Sequence, residues 1–225
     1  MTHQQLAFDL PVKTALGRED FYVSPANTHA VSMIDTWADW PGRKLALVGP
    51  SGAGKTHLAH VFAKQAGARI VPAHALGTLD IPTLVQSNLA IEDVPMIAGQ
   101  TEAEVALFHL HNLALAEGRS LLFTAHVPPA RWGLVLPDLA SRMEGTTSVI
   151  VESPDDDLLS AVMMKLFYDR QLMPRPSTIP YLVRRIDRSF DMARKAVAAL
   201  DEASLAQGRK INRTLASEVL DKLGV

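Results

Sequence analysis

An α/β protein is predicted: a parallel sheet covered by helices on both faces, with an α-helical appendage behind it. Three observations predict it. Short apolar runs alternate with helix-period stretches through residues 19–153, whereas residues 154–225 show helical periodicity alone. The 225 residues, 48% of them hydrophobic, suit one medium domain with a small appendage.

The elements follow in order. Residues 1–18 begin polar, then place Leu6, Phe8 and Leu10 in alternation before Pro11, the pattern of an arm with one extended, sticky segment. Candidate strands cover residues 43–48, 69–72, 89–93, 120–124 and 148–151, each a short apolar run. Residues 55–63 and 102–117 carry an apolar helical face between strands. Trp37 and Trp40 are expected to pack beside this domain. After Ser153-Pro154 the triplet Asp155-Asp156-Asp157 marks a helix start, with acids in the first turn. About four helices are expected from there to Val225, broken near Pro174-Arg175-Pro176, Pro180 and Gly208.

Composition excludes several classes. The absence of Cys rules out a disulfide framework and thiol chemistry, and it fits a reducing cytoplasm. No stretch approaches twenty apolar residues, and the N-terminus lacks a basic-then-apolar leader, so a membrane role is not expected. A formal net charge of −2 without a run of Lys or Arg argues that any DNA contact is indirect or shared with a partner.

The most informative run is Gly49-Pro50-Ser51-Gly52-Ala53-Gly54-Lys55-Thr56, which fits G-x-x-x-x-G-K-[ST] between a strand and a helix. Strand, loop and helix are the context in which glycines let backbone N–H groups wrap phosphates at a helix N-terminus. Lys55 is expected on the β- and γ-phosphates of ATP or ADP, and the Thr56 hydroxyl on Mg²⁺. Downstream, Leu89-Ala90-Ile91-Glu92-Asp93 is an apolar strand ending in two carboxylates. Glu92 falls on the metal side and Asp93 where an attacking water is oriented. The bland alternative is an acidic strand end facing solvent.

An α/β core with a C-terminal helical lid and these motifs at these intervals resembles an AAA+ ATPase, and within that superfamily the DnaA branch. Phe21 with Ser24-Pro25-Ala26-Asn27 resembles the segment that holds adenine. Residues 49–58, with Thr56-His57-Leu58 after the Lys, resemble the DnaA loop. Phe123-Thr124-Ala125-His126-Val127-Pro128-Pro129 resembles the sensor 1 stretch. Leu136-Pro137-Asp138-Leu139-Ala140-Ser141-Arg142 resembles the segment bearing the arginine finger, which puts Arg142 in that role. The alternative for Arg142 is an ion pair with Asp138 or Glu144. The run to Val225 is expected to end with the lid, without the DNA-binding domain of the initiator.

A DnaA-like module with a short arm is similar to the Hda family, the regulatory inactivators of DnaA. Gln5-Leu6-Ala7-Phe8-Asp9-Leu10 resembles the peptide with which that family binds the DNA polymerase sliding clamp. In an extended peptide Leu6, Phe8 and Leu10 fall on one side and can fill apolar pockets, while the Gln5 amide makes directional hydrogen bonds. The same residues could instead fold back as a capping strand. The resemblance implies DnaA and the clamp as partners, DNA only through the clamp, and a nucleotide-dependent homodimer. A helicase loader or replication adaptor with the same core is the alternative.

Three departures from the family pattern stand out. Glu92 replaces an Asp on the metal side; His126 replaces an acid; and Asp191 lies where a lid Arg should face the nucleotide, with Arg188 and Arg194 as candidate substitutes one turn away. An acid there repels ATP more than ADP, so the chain is expected to hold ADP and turn ATP over slowly. The pairs His57/His60 and His109/His111 lack a third ligand by sequence and read as surface or core histidines.

Overall fold

The computed structural model describes residues 22–225. A turn at residues 24–27 leads into α1 (Thr28–Asp35). Strand β1 (Lys44–Val48) follows, then the phosphate-loop sequence and α2 (Lys55–Ala66). Next come β2 (Arg69–Pro72), the single turn α3 (Ile81–Leu84), β3 (Leu89–Glu92), α4 (Thr101–Ala116), β4 (Leu121–Ala125), α5 (Pro137–Glu144) and β5 (Thr147–Ile150). The strands form one parallel sheet in the order β2-β3-β4-β1-β5.

The register explains the unbroken apolar runs. Central β1 pairs on both sides, with Ala46 opposite Phe123 of β4 and Ser148 of β5. A parallel sheet buried on both faces has no solvent side to call for polar alternation. Leu45 and Leu47 point to one face, where they pack with Leu58, Phe62, Ala90 and Leu122. Ala46 and Val48 point to the other, against Ile91, Phe123, Leu107, Leu110 and Trp132. Trp40 stacks on Phe62 with ring centroids 5.0 Å apart, and Trp37 meets the same ring edge-on at 6.1 Å, so both tryptophans pack beside this domain as expected.

Beyond residue 154 the described chain is helical: α6 (Asp156–Asp169), α7 (Thr178–Val183), α8 (Phe190–Gln207) and α9 (Arg213–Leu223). Three of these starts are capped by side chains. Asp155, Ser189 and Asn212 accept from the N–H groups of Leu158, Met192 and Leu215 at 2.7, 3.0 and 2.9 Å. Gly208 ends α8 with φ of 61°, a conformation a side chain resists. Leu159, Met163, Phe167, Val197, Leu200, Leu215 and Leu220 form a core of their own.

The expected elements are present, with shifted ends. β3 stops at Glu92, leaving Asp93 in a left-handed turn, and β4 and β5 are offset by one residue from the expected runs. Pro180 does not break the lid; it sits in the first turn of α7, where no intrahelical N–H bond is lost.

Candidate functional site

The loop after β1 is shaped by close backbone approach. A Cβ at Gly49 would lie 2.1 Å from the Val151 carbonyl oxygen, and one at Gly52 would lie 2.5 Å from Ser189 Cβ. Gly52 and Gly54 have φ of 72° and 100°, and Gly54 is the residue from which α2 starts. The Gly49 N–H donates to Ala125 O at 3.1 Å, tying the loop to the end of β4. No other residue satisfies both the space and the dihedrals at Gly52.

Lys55 is buried inside this loop. Its Nζ donates to the carbonyl oxygens of Gly49 and Pro50, both at 2.8 Å. Burial lowers its pKa, while the nearby Asp93, Asp191 and Glu92 carboxylates pull it back up. Lys55 therefore lies within electrostatic reach of both strand-end acids and of Asp191 on α8. Thr56 is exposed at the start of α2, and His57 is half-buried beside it.

The acidic strand end leaves one carboxylate oxygen unpaired among the described residues. Asp93 has φ of 54°, and its N–H donates to the Thr124 Oγ1 of the neighbouring strand at 3.0 Å. Glu92 Oε1 is shielded from solvent and has no hydrogen-bond partner among the described residues. An orphaned acceptor is costly unless something fills its place. Glu92 and Thr56 thus fit Mg²⁺ as donors of the hard oxygen type that ion takes.

On the far side of the loop, the side chain of Asn27 is fully engaged. It donates from Nδ2 to Tyr22 O at 2.9 Å and accepts from the Ser24 N–H at 2.9 Å, fixing the turn before α1. The Glu152 N–H donates to Ala26 O at 3.3 Å, which brings that turn to the end of β5. Asn27 therefore shapes this wall. Phe21, expected beside it, lies outside the described residues, as do Gln5, Leu6, Phe8 and Leu10.

The lid reaches the loop directly. The Phe190 N–H donates to Gly52 O at 2.9 Å. Arg194 is hydrogen-bonded to Asp191, whereas Arg188 pairs with Asp156 at 2.9 Å. Of the two candidate substitutes, Arg194 is the one tied to the acid beside Lys55.

Arg142 stands on a different surface. It is exposed on α5, with its guanidinium carbon 5.2 Å from the centre of the Phe108 ring. Among the described residues it pairs with neither Asp138 nor Glu144. Lys44 Nζ donates to its backbone oxygen at 2.6 Å. The helix it rides on is anchored by a residue the sequence reading missed. Buried Glu104 accepts from the N–H groups of Gly99, Val135 and Leu136, the last at 2.7 Å and immediately before α5. A signal was available: Glu104, Leu107, His111 and Ala114 lie at helical spacing and all are buried, so an acid fell on the apolar face. Thr124, within the stretch resembling sensor 1, holds the Asp93 N–H, and Ser189, a capping residue type directly before a helix start, caps α8.

No family model matches the chain. An uncharacterized protein of Haemophilus influenzae is 29% identical over 183 residues, covering 77% of this chain and 79% of that one. Domain III of the Thermotoga maritima replication initiation protein DnaA superposes with a TM-score of 0.82 over 95% of this chain and 98% of that domain, at 20% identity. AMPPCP-bound DnaA from Aquifex aeolicus gives a TM-score of 0.68 over 85% of this chain and 66% of that one, at 19% identity. The chain has a DnaA-like AAA+ fold. The AAA+ sheet order and the helical lid account for the loop, the acidic strand end and the lid contact meeting in one place. Among the described residues, no helix is long and apolar enough to cross a membrane.

Proposed function

We propose that this chain is a regulator of chromosomal replication initiation that makes another protein's nucleotide site hydrolyse. Bound to the DNA-loaded polymerase sliding clamp through Gln5, Leu6, Phe8 and Leu10, it docks on ATP-bound DnaA and offers Arg142 as an arginine finger. The exposed guanidinium meets the negative charge developing on the γ-phosphate, an effect of about 10³–10⁵ on rate when such a finger comes in trans. DnaA is left with ADP.

The single observation that carries this reading is the setting of Arg142: an exposed arginine, free of carboxylate partners among the described residues, on a helix anchored by a buried acid in a DnaA-like fold. The module's own pocket takes an adenine nucleotide, with residues 49–56 around the phosphates and Thr56 and Glu92 on Mg²⁺, which when bound neutralises phosphate charge. In this reading Asp93 orients the water. Asp191, paired with Arg194, puts a carboxylate where the family pattern has an arginine, which favours ADP and slow turnover in this reading. The chain acts in the cytoplasm in this reading, and the nucleotide interface also allows a homodimer.

A reconstituted assay tests it. DnaA–ATP, DNA-loaded clamp and this chain are mixed and phosphate release is followed. Arg142→Ala removes the stimulation and leaves clamp binding intact; Leu6→Ala with Phe8→Ala removes clamp capture. Full stimulation by Arg142→Ala would make the chain an adaptor instead.

A further inference from the structure

Folding assembles a basic cluster that the sequence disperses. Arg184 and Arg185 follow α7, and Arg213 opens α9. With Ser177, Pro180 and Tyr181 they line a hollow of about 450 Å³ on the lid. The guanidinium carbons of Arg185 and Arg213 lie 5.2 and 4.8 Å from the centre of the Tyr181 ring. A guanidinium held over a ring keeps its N–H edges available to a planar or tetrahedral oxyanion.

Five other cations of the helical region are paired. Lys165, Arg170, Arg188, Arg194 and Arg209 each pair with a carboxylate: Asp169, Asp201, Asp156, Asp191 and Glu218. Arg184, Arg185 and Arg213 have no carboxylate at ion-pair distance among the described residues. Three like charges gathered without a counter-charge, on a chain whose formal net charge is −2, form a local field that the whole molecule does not have.

We propose that this hollow is a contact site for the phosphodiester backbone of duplex DNA. Arginine forks match phosphate oxygens in pairs, and backbone contacts need only charge and donors. An acidic protein segment would also need apolar anchors, and the lining offers none beyond Pro180 and a ring already covered by guanidiniums. That cover also removes the stacking platform that single strands use, so the site favours a duplex. Three phosphate contacts bind weakly alone and matter once the chain is tethered next to DNA. The site does not depend on the finger role of Arg142.

The test uses the full chain and a short fluorescent duplex, read by anisotropy across a salt series. Three neutralised phosphates give a log–log salt slope of about −2.7. Arg184→Gln, Arg185→Gln and Arg213→Gln singly each flatten it by about 1, and the triple variant loses duplex binding while its thermal midpoint stays near that of the unsubstituted chain. If the triple variant does not fold, the single-variant slopes decide. Absence of duplex binding at low salt, unchanged slopes in the single variants, a single strand of equal length binding more tightly than the duplex, or polyglutamate displacing the duplex at equal charge concentration would each overturn the proposal.

Discussion

The phosphate loop and the surface around Arg142 are built in opposite ways. At the loop, every degree of freedom is taken. Val151 O closes the space at Gly49, Ser189 closes it at Gly52, and Lys55 is bonded back onto two loop carbonyls. At α5 the backbone is fixed, by Glu104 beneath and Lys44 above, but the arginine itself rests on one aromatic face in solvent. A group that must hold its own ligand is enclosed before the ligand arrives. In the role proposed for Arg142, the group that enters another protein's site stands on a rigid base and is left reachable.

Four changes break or sharpen that contrast. The largest effect belongs to Gly49→Ala, whose new methyl would overlap a backbone oxygen that cannot step aside. A stability loss of more than about 3 kcal/mol is expected from a denaturant midpoint. An unaffected midpoint would mean the loop is not enclosed as described. Next is Glu104→Ala, which strands the N–H groups of Gly99, Val135 and Leu136. It should cost about 3 kcal/mol, with Glu104→Gln intermediate because one acceptor oxygen survives. Arg142→Ala should cost only about 0.5–1 kcal/mol, the worth of an exposed cation–ring contact. A loss as large as that of Glu104→Ala would show the arginine to be structural.

The smallest expected effect is a pH dependence at His111. This residue is buried on α4, its Nε2 has no hydrogen-bond partner among the described residues, and burial lowers its pKa below 6.5. The unfolded chain then binds the proton more readily than the folded one. Stability is full above about pH 6.5 and declines as pH falls from there toward the lower folded value. His111→Leu should flatten that slope in denaturant midpoints taken across pH 5 to 7.5, a window set by the downward shift.

The fold was legible because its signals are local. Unbroken apolar runs such as that of residues 45–48 and capping residues such as Asp155 declare a buried parallel strand and a helix start without knowledge of neighbours. The loop was legible for the same reason, since its chemistry is consecutive in sequence. What could not be read were meetings across the chain. That Thr124 would hold the Asp93 amide, or that Ser189 would occupy the space left by Gly52, depends on sheet register and lid docking. β3 ends one residue early because Asp93 turns left-handed, with its N–H held by Thr124. The expectation that any DNA contact is indirect or shared rested on the lack of a Lys or Arg run, and Arg213 joins Arg184 and Arg185 only in the folded lid.

The hydrogen bond from Phe190 to Gly52 makes one amide a gauge of another region. Its proton can exchange with solvent only when the first turn of α8 parts from the loop. A single exchange rate at that position therefore reports how firmly the two cores are joined, and any ligand that tightens the loop should slow it.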